Sequence, residues 1–439
     1  MSKFVIAFMA TYICGIAATL LIDVSWGIYL YQLQYFLNPV IRWWYQSIPD
    51  LRYTFILSQA ILVAYFLRVR AYGANRIFDA PQSKWLLAML VLMLMLCFYA
   101  VWPEKHNRFF MGHLKLIVFM VIAYKTIDDS KKFEGMIWTF LIGNFYLGWV
   151  AHDTGRTHMD RLEGVGVADG MNANDTAAVL VTAVPLLLFY VIKGRRWQQW
   201  LAVLFAAFTL NAVVLFNSRG AFLGLVISCA YMAFYLMLNR ERAAGQRFKL
   251  LVIVLAGTGL FLYMTDTIFW DRMITLKMVG EGKGGAGRID FWMKTFDLVR
   301  QHPFGTGVWG YQFLSPDFIP EKMLSGGIRA VHSTYFQLFA EYGYPGLPVF
   351  TGLILSNFIL VRKTKRHLLS KGSVYLYYQI TAIESGLIAF LVAGAFIDRL
   401  YAEVLYWFML FIAAFGNIYV LKNKRLYYQG GRGDESFSS

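Results

Sequence analysis

The sequence predicts an all-α protein that crosses a membrane about twelve times and carries a small helical cap between its ninth and tenth spans. Three observations predict this fold class. Of the 439 residues, 58% are hydrophobic and only 15% are charged, whereas soluble domains carry about 25% charged residues. Apolar runs long enough to cross a bilayer recur along the chain. The lysines and arginines, which give a net charge of +15, fall in short clusters between these runs.

Twelve apolar segments have the length and composition of membrane-spanning helices. Residues 23–50 lie between the first two and are rich in Trp and Tyr, which favour the headgroup level of a bilayer. We therefore expect an interfacial or re-entrant segment there. A thirteenth span in its place would move the N-terminus to the opposite side without disturbing the rest. The twelve spans cover approximately residues 4–22, 53–68, 85–102, 110–125, 134–151, 174–193, 198–216, 220–238, 249–265, 334–360, 376–396 and 401–421.

The basic clusters give this layout an orientation, because short cytoplasmic loops are enriched in Lys and Arg. With twelve spans, the most basic segments all fall on one side, which we assign to the cytoplasm together with both termini. Membrane orientation thus accounts for the positive charge, and the sequence predicts no nucleic-acid partner. The basic segments are residues 68–84, 193–199, 239–249, 361–372 and the tail that begins at Lys422.

The layout divides the chain into a membrane part and a cap on the outer face. The segment 266–332 has eight bases against seven acids, so it lacks the charge bias of a cytoplasmic loop and is predicted to fold as the cap. The regions are residues 1–265 with nine spans, the interfacial segment 23–50 and an outer loop at 152–173; the cap at 266–332; three further spans in 333–421; and a cytoplasmic tail at 422–439.

An arginine stands at the edge of an apolar span, in Asn211–Val226, "NAVVLFNSRGAFLGLV". A charged side chain inside a bilayer costs about 2.5–3.5 kcal/mol on insertion scales. An anionic ligand would offset that cost, so Arg219 is predicted to bind one. The alternative is that its side chain reaches the headgroups from a helix end.

The cap contains a second candidate arginine and leads into a candidate base. From Arg288 onward, Ile289, Trp292 and Phe296 recur at helical spacing, which predicts an amphipathic helix on the membrane surface. Arg288 opens this helix, where free N–H groups already favour an anion. His332 stands at the start of the next span, and an imidazole of pKa about 6.5 suits a general base. A capping arginine and a structural histidine are the alternatives.

Other polar segments give weaker signals. The glycine-rich turn at Gly280–Gly287 resembles a phosphate cradle, but its lysine is not followed by Ser or Thr in P-loop register. Arg156 and Arg161 in the outer loop are candidates for lining the path of a substrate, and a solvated loop is the alternative. The spans contain no carboxylate cluster with the spacing of a divalent-metal site. The sequence therefore predicts no metal and no other cofactor.

Three motifs in this order resemble one protein family. They are the Asn217–Gly220 segment "NSRG", the cap helix that begins "GR" at Arg288 and continues to "HPFGTG", and "HSTYFQLFAEYGYPGL" from His332. Together they resemble the O-antigen ligase/O-antigen polymerase superfamily of polytopic bacterial inner-membrane glycosyltransferases, over roughly residues 215–346. Ser333 stands where many members have Asn. The stretch "YFLNPVIRWW" is similar to the branch of exosortase-associated O-glycosylation ligases.

The resemblance implies transfer of a glycan from a polyprenyl (undecaprenyl) pyrophosphate to an acceptor hydroxyl at the periplasmic face. Arg219 and Arg288 would hold the pyrophosphate, and His332 would act at the acceptor. Bidentate arginine contacts also suit a pyrophosphate leaving group in the absence of a metal. Attack opposite this leaving group would invert the anomeric configuration.

The acceptor is not fixed by the sequence. A ligase would use lipid A-core or another glycan or protein, whereas a polymerase would use a second lipid-linked repeat. A transporter of lipid-linked sugars is the alternative from another class. A transporter is expected to place its charges near mid-bilayer in two related halves, but here the distinctive charges gather at one face. The sequence therefore favours a ligase-type transferase in the bacterial inner membrane, with its active site facing the periplasm.

Overall fold

The protein is almost entirely helical, as the sequence predicts. The computed structural model describes residues 3–158, 160–238, 244–274, 286–321 and 324–422, and this part of the chain contains no named strand. The helices are α1 Lys3–Leu21, α2 Ser25–Leu37, α3 Tyr53–Leu67, α4 Gln82–Leu96, α5 Pro103–Thr126, α6 Ser130–Thr154, α7 Ala173–Val181, α8 Val184–Lys193, α9 Arg196–Phe216, α10 Arg219–Leu238, α11 Ala244–Met264, α12 Thr267–Ile274, α13 Ala286–Gln301, α14 Gly310–Phe318, α15 Thr334–Ser370, α16 Val374–Gly394 and α17 Glu403–Gly416.

Each of the twelve predicted spans coincides with a helix or with consecutive helices. Helices α7 and α8 form one apolar stretch, Ala173–Lys193, and α17 continues as a π-helix to Leu421. Among the described helices, eight are long and apolar enough to cross a membrane, or nine if the bent pair Tyr53–Leu67 and Val69–Asp79 forms one span. The all-α polytopic fold class is therefore confirmed, and twelve crossings stay a prediction.

Helix α2 departs from the expected interfacial segment 23–50. It packs against α1, α3 and α6, and Ile28, Gln32 and Phe36 are fully buried. Its tyrosines turn into the bundle instead of toward headgroups, since Tyr31 donates to Glu403 and Tyr35 to Asp169. These interior acceptors satisfy the phenolic hydroxyls, so α2 is packed inside the bundle, and an interfacial or re-entrant place for the rest of residues 23–50 stays a prediction.

The contacts at the two ends of α2 also change the expected position of the N-terminus. Asp23, just before α2, forms an ion pair with Lys132 at 3.1 Å, at the end of the bundle that carries the basic loops. At the opposite end, Phe4 stacks on Trp149 with ring centroids 5.6 Å apart. The chain therefore begins at the same end as the outer loop 152–173. This is the arrangement that a thirteenth crossing would produce, and it departs from the expected cytoplasmic N-terminus. Of the predicted tail 422–439, all but Lys422 lies outside the described residues.

The cap has its own small hydrophobic core. Phe291 and Leu298 of α13 pack with Tyr311, Ile319 and Val331. The predicted amphipathic helix is present as α13, and Ile289, Met293 and Phe296 are exposed apolar residues on it, at 48%, 59% and 43%. A membrane surface is where such residues are expected to lie, and this placement of α13 stays a prediction. Within the cap, residues 275–285 and 322–323 lie outside the described residues, and with them most of the glycine-rich turn 280–287.

A kink in α15 docks the cap on the membrane helices. Gly343 interrupts α15 with φ +59°, and a Cβ there would lie 2.2 Å from the carbonyl oxygen of Pro303. The N–H groups of Thr306 and Gly307 donate to the carbonyls of Ala340 and Glu341, each at 3.0 Å. The "HPFGTG" turn thus satisfies carbonyl groups next to the break, which would otherwise be unpaired.

The carboxylate of Glu341 fastens three parts of the protein together. It accepts the N–H of Trp309 in the cap at 3.1 Å and the side chain of Gln337 in α15 at 3.1 Å. It also accepts the hydroxyl of Tyr401, which lies between α16 and α17. Because the Glu341 side chain is fully buried, these donors replace the water that a carboxylate needs. The "FAEYGYPG" motif therefore fixes the position of the segment that carries His332.

Candidate active site

Arg219 is placed by a sharp turn between two antiparallel helices. Helix α9 ends at Asn217, which has φ +48°, and Arg219 is the first residue of α10. The side chain of Asn217 donates to the carbonyl of Asp160 at 3.0 Å, so the outer loop holds this turn. The first N–H groups of a helix have no intrahelical partner and carry a partial positive charge. Arg219 therefore adds a full charge to a site that already favours anions.

Arg288 meets Arg219 across one small cavity. Arg288 lies in the first turn of α13, so the first turns of two helices, α10 and α13, line the same cavity. The cavity is partly open, and its volume is about 30 Å³, room for about one water molecule. The cavity is lined by Asn174, Ser218, Arg219, Gly220, Arg288, Phe396 and Ile397.

His332 is held by its backbone, which adopts an unusual conformation. Its φ is +57°, a region that non-glycine residues seldom occupy. The carboxylate of Asp398 accepts the N–H of His332 at 3.0 Å and that of Ser333 at 2.9 Å. The indole of Trp292 donates to the preceding carbonyl, that of Val331, at 3.1 Å. These three bonds offset the cost of the conformation and fix the imidazole at the cap–membrane junction.

Burial shifts the pKa values of His332 and Asp398 in opposite directions. Burial, together with the charges of Arg288 and Arg329, lowers the pKa of His332 to about 4. Burial raises the pKa of Asp398 to about 6, against the lowering effect of the two backbone N–H bonds. Nδ1 of His332 lies 3.8 Å from Oδ2 of Asp398, too far for a direct hydrogen bond. His332 is therefore neutral at neutral pH, with an ionised carboxylate next to it.

A buried ion pair holds the loop that contains Asp398. Arg399 donates to the carbonyl and the carboxylate of Asp169, and its guanidinium lies 3.9 Å from a carboxylate oxygen of Asp175. These two acids raise the pKa of Arg399 despite its burial. Thr334 links the same loop to α15, since its hydroxyl donates to the carbonyl of Ile397 at 2.7 Å. The outer loop 152–173 therefore takes part in positioning the site.

The two candidate path residues lie apart from this cavity. Arg156 forms a bidentate pair with Asp266, whose carboxylate also accepts the N–H of Phe269 at 2.9 Å and so begins α12. Arg161 pairs with Glu163 at 2.6 Å. Neither arginine lines the cavity of Arg219 and Arg288. Both have structural partners, and their place along a substrate path stays a prediction.

Sequence reasoning missed Asp398 and Asn174. Asp398 belongs to "FIDRLYAE", the short connection between the last two predicted spans. A charged pair in a short outer loop, opposite the basic loops, was a signal that could have found it. The cap of α7 is Asn172, whose side chain accepts the N–H of Asp175 at 2.9 Å. Asn174 is thereby left to face the cavity.

The site combines the guanidinium groups of Arg219 and Arg288 with the neutral imidazole of His332 and the nearby carboxylate of Asp398. Among the described residues, no group of three or more His, Cys, Asp or Glu is arranged to hold a metal ion. Residues 204–351 match the family described as O-antigen ligase. No curated protein matches the chain. The family match includes Arg219, Arg288 and His332, and it does not test the exosortase-associated branch, which stays a prediction.

Proposed function

We propose that the protein, whose residues 204–351 match the family described as O-antigen ligase, transfers a glycan from a polyprenyl pyrophosphate to an acceptor hydroxyl at the outer face of the bacterial inner membrane. O-antigen ligase-type glycosyl transfer is the activity that the family supports. The observation that carries the proposal is the cavity shared by Arg219 and Arg288, with His332 beside it. These residues are far apart in sequence but meet at one end of the bundle.

The two arginines suit the diphosphate of the donor. Each phosphoryl group of a pyrophosphate diester carries one negative charge, so the two guanidinium groups match the headgroup one to one. A guanidinium can bind phosphate through two parallel N–H bonds, and the N-termini of α10 and α13 add their dipoles. The lipid tail would stay in the membrane while the sugar projects toward the cap. Binding of the anion would also offset the cost of two cations at the membrane edge.

His332 is assigned the role of general base. It would take the proton from the acceptor hydroxyl as the oxygen forms a bond to the anomeric carbon. The bond from that carbon to the pyrophosphate oxygen would break, and the electron pair would leave on the polyprenyl pyrophosphate. Attack from the side opposite the leaving group inverts the anomeric centre. Arg219 and Arg288 would stabilise the charge that develops on the leaving oxygen.

Donor binding would itself make His332 a stronger base. In the free protein, the nearby Arg288 holds the pKa of His332 down. An anionic donor bound to Arg288 would offset that charge, and the ionised Asp398 would then favour the imidazolium. Proton abstraction is thus coupled to the presence of a donor. This coupling disfavours proton transfer when no donor is present.

We favour a ligase over a polymerase on the resemblance of the cap, and a transferase over a transporter because the arginine pair and the histidine lie together at one face. The test uses purified protein in lipid nanodiscs, with donor already accessible to the cap side. His332→Ala is expected to abolish transfer but to retain donor binding. Undiminished transfer would remove His332 as the base. Chain growth on a lipid-linked repeat, without any other acceptor, would replace the ligase with a polymerase.

A further inference from the structure

A third arginine lies beside the proposed active site. The N–H of Arg329 donates to the hydroxyl of Ser315 at 2.8 Å, which fixes the backbone of this residue on α14. Its guanidinium carbon lies 5.0 Å from the centre of the Phe291 ring. Phe291 follows Arg288 by three residues, about one turn of α13. Arg329 therefore contacts a residue one helical turn after Arg288, and it precedes His332 by three residues.

This guanidinium has no charged partner in the described part of the chain. Its Nε is buried without a hydrogen-bond acceptor there, and no carboxylate lies within ion-pair distance. Contact with the Phe291 ring stabilises the cation, but it leaves the buried Nε–H without an acceptor. Arg300, in contrast, pairs with Asp297 and is largely in solvent. The surroundings of Arg329 resemble those of a cation that awaits an anion.

The donor diphosphate does not account for this third charge. Arg219 and Arg288 already match the two phosphoryl groups, and Arg329 does not line their cavity. It lies on the cap side, near His332, where the acceptor and the first sugar of the donor must meet. Its charge contributes to the lowered pKa of His332, which places the two groups within electrostatic range. An anion bound at Arg329 would therefore belong to one of the reacting sugars.

We propose that Arg329 binds an anionic substituent, a carboxylate or a phosphate, on one of the two sugars joined in the reaction, and so makes the protein specific for an acidic glycan. This inference rests on the proposed glycosyl transfer and names the class of its substrate. Charge-assisted bonds from a guanidinium to a carboxylate or a phosphate are alike in geometry, so the experiment separates the two sources.

The test measures kcat/KM of the full-length protein in nanodiscs with paired substrates. The donors are a polyprenyl pyrophosphate oligosaccharide with a uronic acid as its first sugar and the carboxyl-reduced counterpart. The acceptors are a phosphorylated oligosaccharide and its dephosphorylated form. Arg329→Gln is compared with Arg300→Gln, a matched change at an exposed arginine of the cap. Arg329→Lys tests whether the charge alone is sufficient, and thermal unfolding checks the fold of each variant.

We expect the wild type to prefer one acidic substrate at least about tenfold, and Arg329→Gln to lose about 10- to 100-fold on that substrate alone. The substrate pair on which Arg329→Gln loses activity shows whether the donor or the acceptor carries the acidic group. Arg300→Gln should retain the preference. A wild type without acid preference would overturn the inference, as would an equal loss on all substrates in Arg329→Gln. A wild type inactive with every pair would instead refute the proposed function.

Discussion

Asp398→Asn tests how His332 is activated. The carboxylate of Asp398 accepts two backbone N–H bonds and lies 3.8 Å from Nδ1 of His332. An asparagine keeps the shape and one acceptor oxygen, so it retains one of the two backbone N–H bonds and loses the other. It also removes the charge that would stabilise the imidazolium in the transition state. At an effective dielectric constant near 20, that attraction is about 4 kcal/mol at this distance.

Solvent reduces this value, because the His332 side chain is 36% exposed and exposed pairs are screened. We therefore expect kcat to fall about 100-fold, which corresponds to ~2.7 kcal/mol. Donor affinity should change little, because Asp398 does not line the cavity of the arginine pair.

The pH profile separates this role from a structural one. Asp398 has a pKa of about 6, so wild-type kcat/KM should fall as the pH drops below that value and the carboxylate takes up a proton. His332, with a pKa of about 4, stays neutral over this range. In Asp398→Asn, the fall of kcat/KM near pH 6 should be missing. The control is Asp290→Asn at an exposed position of α13. A variant with wild-type kcat and an unchanged acid limb would refute the reasoning.

Four further outcomes follow from the structure. Arg219→Lys and Arg288→Lys should each reduce donor turnover by about tenfold or more, because a point charge cannot form the bidentate contact. Full activity with lysine at both positions would contradict pyrophosphate binding by the two arginines. His113→Phe should raise the free energy of unfolding by about 1–2 kcal/mol, since both ring nitrogens of this buried histidine lack a described partner; chemical denaturation measures it, and a loss of stability would argue for a hidden partner. Gly343→Ala should destabilise by about 3 kcal/mol or more, given φ +59° and a carbonyl oxygen 2.2 Å from the new Cβ, whereas Gly257→Ala, with open space around it, should be tolerated. Chelation with EDTA should leave the transfer rate unchanged, and a rate restored only by added divalent cation would contradict metal independence.

The sequence was sufficient for the fold class, and it also singled out Arg219, Arg288 and His332, whose roles stay predictions. Arg219 stands out because a charge beside an apolar span is costly, and that cost is visible without coordinates. His332 stands out because an imidazole at the start of a span suits a general base. The helix that begins near Arg288 follows from apolar periodicity. These signals are local, so they depend on residue type and on spacing within one segment.

The signals that failed were those that depend on partners distant in sequence. The tyrosines of α2 were expected at headgroups, but their acceptors, Asp169 and Glu403, lie more than 130 residues further along the chain. Asp398 was overlooked for the same reason, since its function arises from the backbone of His332, 66 residues earlier. Tertiary contacts thus override local preference at each of these positions.

The central claim is that Arg219 and Arg288 hold one pyrophosphate while His332 acts on the acceptor. The most direct measurement is the affinity of the full-length protein for polyprenyl pyrophosphate, compared with polyprenyl monophosphate. Arg219→Gln and Arg288→Gln should each weaken diphosphate binding about 10- to 100-fold and lose the preference over monophosphate, and His332→Ala should bind as the wild type does. Wild-type affinity in either arginine variant would contradict the account.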